Sequence, residues 1–288
     1  MDLTDDVISI VESYGSFNIT KDNLNISGST EEYVFNGHLL SKIISDNDTG
    51  RKVGTHHYTP HGNGINHLDI INYKGSHVKR GRVEYSERFY YSHTNPDTIF
   101  DIEIKGNFDE ATSKYTRDTI KTILGITIYT KNGKIERWQE FSSGKLFKDY
   151  RYLKNTEEMD LHTKGALNYT EVTSFKNDRK KKTIRKDAEG NVILTKHYSY
   201  DDKGNLNKIE VHKDNTTILA EQSVYLYKGD QWVVRCYQMY DKGFYNPETL
   251  KLKVRSVTLK DGTKLEATEE EIKAFVKKQT AIALKPEA

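Results

Sequence analysis

The chain has 288 residues, of which 35% are hydrophobic and 30% charged, and its 44 basic and 42 acidic residues leave a formal charge of +2. A domain that binds nucleic acid is usually strongly basic, so this balance argues against a nucleic-acid partner. The 19 tyrosines and 10 phenylalanines argue against disorder, because disordered segments are poor in aromatic residues. The length allows one large β domain or two ordinary ones.

Cys236 is the single cysteine, which excludes an intramolecular disulfide and a zinc site built on cysteines. Residues 1–17 begin with acidic side chains and lack the basic start and apolar run of a signal peptide. No stretch approaches the ~20 apolar residues of a membrane-spanning helix. These features predict a cytoplasmic protein without a membrane partner, or an envelope protein if a leader has been removed.

The N-terminal third predicts one short helix followed by strands. Thr4 is a suitable helix cap, and four aliphatic residues between Val7 and Val11 follow it with amphipathic spacing. A helix is therefore predicted over residues 4–12. Runs rich in β-branched and aromatic residues then predict strands. They lie at 33–35, 67–73, 83–91 and 98–104.

A histidine-rich segment is the sharpest local cluster of possible ligands. Four of the ten histidines lie close together in the chain: His56, His57, His61 and His67. Imidazole is a common ligand of zinc and of other divalent metals. These four residues are the predicted metal site, and a polar hairpin loop is the alternative interpretation.

The same segment resembles the HNH, or ββα-metal, nuclease motif. That resemblance implies a general base at His57, an orienting residue at Asn66 and a metal ligand at His67 or His77. The metal ion would stabilise the leaving oxygen. This sequence departs from the motif, because residues 70–75 predict strand and turn where the motif has a helix, and the stabilising cysteines are absent.

The middle of the chain predicts consecutive hairpins. Strands at 126–130, 134–141 and 145–153 are separated by Asn132-Gly133 and Ser143-Gly144, and Asn-Gly is a strong hairpin signal. Polar stretches at 106–118 and 155–165 are the candidate boundaries. They suggest an N-terminal β-rich region at 1–110 and a hairpin-repeat sheet with the C-terminal helix at 111–288, although one continuous sheet fits equally.

These hairpins resemble the MORN-variant repeats of antitoxin modules. The resemblance rests on Lys131-Asn132-Gly133-Lys134, Trp138, Glu140, Phe141, Gly144-Lys145-Leu146 and Tyr150. Such modules occur as immunity proteins beside bacterial polymorphic toxins. The resemblance therefore implies a cognate toxin as the protein partner.

Six basic residues lie between Arg179 and Lys186. Such a run can meet phosphates or an acidic partner. A solvated strand edge is the favoured interpretation, because lysines block edge-to-edge pairing of sheets.

Two copies of the turn sequence Asp-x-x-Gly-Asn follow, at 187–191 and 201–205. Asp suits the first position of a type I turn, and Gly suits the position with positive φ. Flanking strands are predicted at 192–200, 205–212, 218–227, 231–240 and 250–259. The segment from Tyr198 to Ile209 resembles the YD repeat of Rhs-type proteins, although hairpin physics alone also explains both resemblances.

The C-terminal end predicts the longer of two helices. Thr268 and Glu271 form a capping box, and Ile272, Phe275 and Val276 follow at helical spacing. With this helix, the predicted fold class is mainly β: an extended antiparallel meander of consecutive hairpins with a short N-terminal and a longer C-terminal helix. Because alternation within the strands is imperfect, largely exposed sheet faces are expected.

The sequence shows no complete catalytic set, so an enzyme is not the favoured interpretation and no cofactor is predicted. The first hypothesis is a non-catalytic protein-binding β-repeat protein of the immunity type, which masks a toxin. A metal-dependent nuclease or hydrolase and an envelope or surface β-repeat protein are the alternatives. Aromatic and Arg side chains anchor interfaces. The predicted partner-binding residues are Tyr225, Tyr227, Trp232, Arg235, Tyr237 and Tyr240.

Overall fold

The computed structural model describes most of the chain. The described ranges are 6–35, 39–46, 52–61, 64–72, 83–92, 98–109, 112, 114–130, 134–214, 216–239 and 249–283.

Almost all regular structure in the described ranges is strand. The strands are β1 (Val7–Asn18), β2 (Asn23–Phe35), β3 (Leu39–Asp46), β4 (Lys52–His61), β5 (Gly64–Asn72), β6 (Val83–Ser92), β7 (Thr98–Asp109), β8 (Lys114–Tyr129), β9 (Ile135–Ser142), β10 (Lys145–Leu153), β11 (Thr156–Thr163), β12 (Ala166–Lys176), β13 (Arg179–Asp187), β14 (Val192–Tyr200), β15 (Leu206–Lys213), β16 (Thr216–Lys228), β17 (Gln231–Met239), β18 (Thr249–Leu259) and β19 (Lys264–Leu265). One helix, α1 (Glu269–Ala283), follows within these ranges.

The strands belong to one large antiparallel sheet. Consecutive strands pair with each other, as in β6 with β7 and β12 with β13. The first strand is an exception, because β1 pairs with both β2 and β18. The prediction of a mainly β antiparallel meander with a C-terminal helix is confirmed.

The predicted N-terminal helix is wrong. From Val7 onward the chain is strand β1, whose alternate residues Ile10 and Glu12 are both buried. β-Branched residues lose side-chain freedom in a helix and pack well on a sheet. Two neighbouring strands also satisfy the backbone of β1, and this long-range pairing outweighs a weak local helix signal.

Both predicted Asp-x-x-Gly-Asn turns are confirmed. Asp187 accepts a hydrogen bond of 2.7 Å from the amide of Asn191, and Gly190 has φ of 92°. The second turn repeats this geometry, with 2.7 Å between the Asn205 amide and the Asp201 carboxylate and φ of 88° at Gly204. Ser143 and Gly144 also have positive φ, as a two-residue hairpin turn requires.

We expect Gly190→Val and Gly204→Val each to lower the free energy of unfolding by about 1 kcal/mol or more, because a β-branched residue is strained at positive φ. No heavy atom lies within 4 Å of a Cβ built on Gly190, so the cost comes from the backbone alone. Urea unfolding would measure it. Glu189→Val in the same turn is the matched control, and equal effects at positions 189 and 190 would contradict the turn geometry.

By its internal contacts the chain divides into two units. The first unit comprises 1–57, 200–208 and 220–288, and the second comprises 58–199 and 209–219. The predicted division near residue 110 stays a prediction.

The first unit contains a hydrophobic core between α1 and one face of its sheet. Its buried members are Phe17, Val233, Val234, Cys236, Leu250, Leu252, Ile272 and Val276. The predicted capping box begins the helix, since the Glu271 amide donates to Thr268 Oγ1 (3.2 Å) and the Thr268 amide donates to Glu271 Oε2 (2.9 Å). Within the described residues, no helix has the length and apolar character needed to span a membrane.

The second unit is held largely by contacts between neighbouring strands. On one face, Arg137 donates two hydrogen bonds of 2.8 and 2.6 Å to Asp149. On the other, the rings of Trp138 and Tyr150 stack with centroids 4.8 Å apart. Cross-strand ion pairs and aromatic pairs of this kind stabilise a sheet. These contacts agree with the predicted exposed faces.

Two polar segments of the sequence lie in paired strands. The stretch 155–165 contains β11, whose polar side chains pair with β10 and β12. The basic run lies in β13, which is hydrogen-bonded to β12 on one side and β14 on the other. Lys182 to Lys186 therefore lie inside the sheet, and protection against edge pairing does not explain this part of the run.

Candidate functional site

The predicted partner-binding residues fall on two adjacent strands of the first unit. Tyr225 and Tyr227 lie on β16, and Trp232, Arg235 and Tyr237 lie on β17. The remaining predicted residue, Tyr240, lies outside the described residues. The structure therefore brings five of the six residues into one region.

Strand register places part of this set in a row across four strands. Tyr225 pairs with Arg235, Arg235 with Lys253, and Lys253 with Tyr14. Paired residues of antiparallel strands point to the same side of a sheet, and residues two apart on one strand share that side. We call this set, with Tyr237, the tyrosine face.

The tyrosine face points away from α1. Val234 and Cys236 alternate with Arg235 along β17, and both belong to the core beneath the helix. Because successive side chains of a strand point to opposite faces, the row lies on the side that α1 does not cover. This side of the sheet is polar and aromatic at the row, and further along it Ile10 and Val257 are 0% exposed in a second hydrophobic cluster.

Arg235 is held in place by several partners. Its guanidinium donates to the carboxylate of Glu221 and, over 3.0 Å, to Ser223 Oγ. The same group lies 4.7 Å from the ring centroid of Tyr237. Burial raises the pKa of both Tyr225 and Tyr237, so both hydroxyls are neutral donors at physiological pH.

A buried charge cluster adjoins the row, and it consists of Glu12, Lys253, Arg255 and Gln231. Glu12 is 0% exposed and Arg255 4% exposed. Lys253 Nζ forms an ion pair with Glu12 Oε2 at 2.5 Å, and neither carboxylate oxygen of Glu12 has a hydrogen-bond partner among the described residues. Arg255 Nη2 donates over 3.0 Å to Gln231 Oε1. Burial lowers the pKa of Arg255 to about 10, although the Glu12 carboxylate opposes the shift.

Two of the predicted aromatic residues serve internal contacts. The Tyr227 hydroxyl donates to Asp201 (2.7 Å) and accepts from Asn205 (2.6 Å), which joins β16 to the second Asp-x-x-Gly-Asn turn. The Arg255 guanidinium lies 3.8 Å from the ring centroid of Trp232. The atoms most available to a partner are therefore those of Tyr14, Arg235 and Tyr237.

Tyr14, Lys253 and the buried charge cluster are not among the residues predicted from the sequence. The signal for Tyr14 is the alternation of Ile10, Glu12 and Tyr14, which was hidden by the helix predicted over 4–12. Nothing local marks Lys253 or Arg255, because lysines and arginines occur throughout the strands. Their position depends on the register of β18 against β1 and β17.

The predicted metal site stays a prediction. The backbones of His56, His57, His61 and His67 lie on β4 and β5, but their side chains, and all of His77, are outside the described part of the chain. β5 continues as strand through Asn72, where the nuclease motif has its helix. Elsewhere in the described residues, no group of three or more His, Cys, Asp or Glu side chains could hold a metal ion.

Cys236 is a structural thiol. It is 3% exposed within the core beneath α1, and burial raises its pKa to about 12. A thiol that stays protonated at neutral pH is a poor nucleophile.

Comparison with known proteins gives only remote similarity. No family model matches the sequence, and no curated protein matches it. Among solved structures, a porin-like protein from Bacteroides uniformis overlays with a TM-score of 0.32 and 9% identity, covering 88% of this chain and 98% of that chain. A domain described as an outer membrane lipoprotein-sorting protein from Vibrio parahaemolyticus overlays with a TM-score of 0.18 and 11% identity, covering 94% of this chain and 91% of that chain. A LolA superfamily protein from Nitrosomonas europaea overlays with a TM-score of 0.19 and 10% identity, covering 94% of this chain and 90% of that chain.

None of these three proteins is a YD- or MORN-repeat protein. The predicted resemblance to YD and MORN-variant repeats is wrong, and so are the immunity-type function, the cognate toxin and the cytoplasmic location. The physical reason lies in the turns. The carboxylates of Asp187 and Asp201 bond the amides four residues on, and any tight hairpin benefits from that chemistry. The Asp-x-x-Gly-Asn motif thus indicates a hairpin and not a repeat family. The TM-scores of the three named structures are too low to establish a common fold with this chain.

Proposed function

We propose that the protein is a non-catalytic binding protein of the bacterial envelope, which holds a protein partner on its tyrosine face. The observation that carries this proposal is the row of Tyr14, Lys253, Arg235 and Tyr225 across four adjacent strands. Tyrosine and arginine are the residues that most often anchor protein interfaces.

The internal contacts of the row favour binding. Arg235 is fixed by Glu221, Ser223 and the ring of Tyr237. Lys253 is fixed between Glu12 and the ring of Tyr14, 5.3 Å from its centroid. Side chains that are already ordered lose less conformational entropy when a partner binds. A partner with acidic groups and hydrogen-bond acceptors fits these partly exposed cations and the hydroxyls of Tyr14 and Tyr237. The Tyr225 hydroxyl already donates to the Leu206 carbonyl over 2.7 Å.

The envelope is the location that we propose in place of the cytoplasm. Of the proteins named above, the Vibrio domain is the one described with an outer membrane role. Cell fractionation with an epitope tag tests the location, and we expect the protein in the envelope fractions. Recovery in the cytosol would contradict this part of the proposal.

We expect a photo-crosslinking amino acid placed at Tyr237 to capture one specific protein in living cells, because the side chain lies on the proposed contact face. Adding Arg235→Glu should lower the crosslinking yield about tenfold or more, the cost of losing an interface anchor. Mass spectrometry of the adducts measures both effects. Thermal melts would establish that each variant is folded.

The matched control is the same crosslinker at Leu153, which is 61% exposed and belongs to the second unit. An equal pattern of adducts from positions 153 and 237 would mean unspecific capture. That result, or the absence of any adduct from position 237, would overturn the proposed binding face.

A further inference from the structure

The basic run of β13 is not explained by the tyrosine face, because it belongs to the second unit. Neighbouring cations of that unit have an acidic partner, since Arg185 and Lys196 both form ion pairs with Glu171. Lys181 and Lys182 differ, because no carboxylate of the described residues lies within ion-pair distance of either. Two lysines of this strand therefore have no ion-pair partner among the described residues.

Two histidines lie beside these lysines. Lys182 is the cross-strand partner of His197. The ring of His197 meets that of His212 edge to face, with centroids 4.9 Å apart. Nδ1 of His212 is 2.8 Å from the hydroxyl of Thr217, so its Nε2 is the nitrogen available to a ligand. Lys182, His197 and His212 thus converge from β13, β14 and β15.

His212 and Thr217 also border an open cavity of about 280 Å³. Three consecutive apolar residues, Val192 to Leu194, line part of it, and Val192 is 60% exposed. The rest of the wall is polar: Lys213, Asp214 and Thr216. The cavity therefore offers space for a ligand next to His212, whereas His197 and Lys182 do not line it.

Charged and titratable groups on the two neighbouring strands, β13 and β15, act on the imidazole of His197. Burial lowers its pKa, and His212, Lys182 and Lys181 lower it further, while Glu210 alone raises it. His197 consequently carries less positive charge than an ordinary histidine at the same pH. An anion between these groups would reverse the balance, since it favours the charged form of each imidazole.

We propose that Lys182, His197 and His212 form a binding site for a phosphate-bearing ligand. Lysine is a common phosphate binder, and protonated imidazoles add further donors. A phosphate oxyanion has enough acceptor oxygens to meet three donors at once. A free phosphate compound and a phospholipid headgroup share this chemistry, and the apolar wall beside His212 suits either a small organic group or a lipid chain.

Isothermal titration calorimetry of the full chain with inorganic phosphate tests the site. We expect Lys182→Gln and His212→Gln each to weaken binding about tenfold, because each removes a charge-assisted hydrogen bond. Lys182→Arg should retain most of the affinity. Lys145→Gln is the matched control, since Lys145 is an exposed lysine at the start of β10 and its loss should change nothing. Thermal melts identify any variant that is unfolded.

The pH dependence gives a second readout. Sulfate keeps its charge between about pH 8 and pH 5, the range in which histidine titrates. Its affinity should rise as the pH falls, by about tenfold for each unit by which the anion raises an imidazole pKa. Nuclear magnetic resonance of the imidazoles should show the pKa of His197 rising when sulfate is added.

Vesicles distinguish the two ligand sources. Binding to vesicles of anionic phospholipid and not to phosphatidylcholine vesicles, with the same loss in Lys182→Gln, identifies a headgroup. Binding of inorganic phosphate without vesicle binding identifies a free phosphate compound. If neither probe binds, if Lys145→Gln weakens binding as much as Lys182→Gln, or if zinc binds the histidines and excludes phosphate, the proposal is overturned. None of these outcomes bears on the tyrosine face, because the two sites belong to different units.

Discussion

Replacing Glu12 by alanine should lower the free energy of unfolding by about 3 kcal/mol or more, the cost of removing one partner from a buried ion pair. Glu12 is 0% exposed, and its carboxylate is the anion next to Lys253 and buried Arg255. Without it, both cations remain in a poorly solvated site with no opposing charge at that position. Urea unfolding of the wild type and the variant measures the difference.

The control for Glu12→Ala is Glu266→Ala. Glu266 pairs with Lys264, but both side chains are at least 50% exposed, and exposed ion pairs contribute about 0–1 kcal/mol. The double variant Glu12→Leu with Lys253→Met should cost less than the two single changes together, because it removes the charge and its partner at once. If Glu12→Ala costs no more than Glu266→Ala, the buried charge cluster does not exist as described.

Phe17→Ala should destabilise the protein by about 3–5 kcal/mol, the usual cost of truncating a buried aromatic residue. Phe17 is 1% exposed and belongs to the core between α1 and the sheet. Its removal leaves a cavity beneath Ile272 and Val276, which join α1 to that core. Urea unfolding followed by circular dichroism measures both the stability and the loss of helix.

Leu153→Ala provides the comparison for Phe17→Ala. Leu153 is apolar but 61% exposed, so its truncation should change the stability by at most about 0.5 kcal/mol. Similar losses at positions 17 and 153 would show that α1 does not cover a packed core at Phe17. In that case the side of the sheet on which the tyrosine face lies would also be uncertain to assign, because that assignment depends on the core between α1 and the opposite side.

The sequence determined the hairpins and the C-terminal helix because their signals are local. Asp187 bonds an amide four residues away, and Thr268 and Glu271 cap a helix within three residues. Such contacts require no information from the rest of the chain. Strand β14 accordingly begins and ends at the predicted residues 192 and 200.

The tertiary structure alone decided which strands meet and which residues are buried. β1 is a strand because β2 and β18 pair with it, and β18 begins more than two hundred residues later in the chain. That register makes Glu12 buried and places Tyr14 beside Lys253. β11 and β13 were missed as paired strands because their neighbours supply the opposite charges and aromatic rings that their own sequences lack. Polar cross-strand contacts leave no regular pattern of hydrophobic and polar residues in the sequence, because they depend on partners that only the folded sheet brings together.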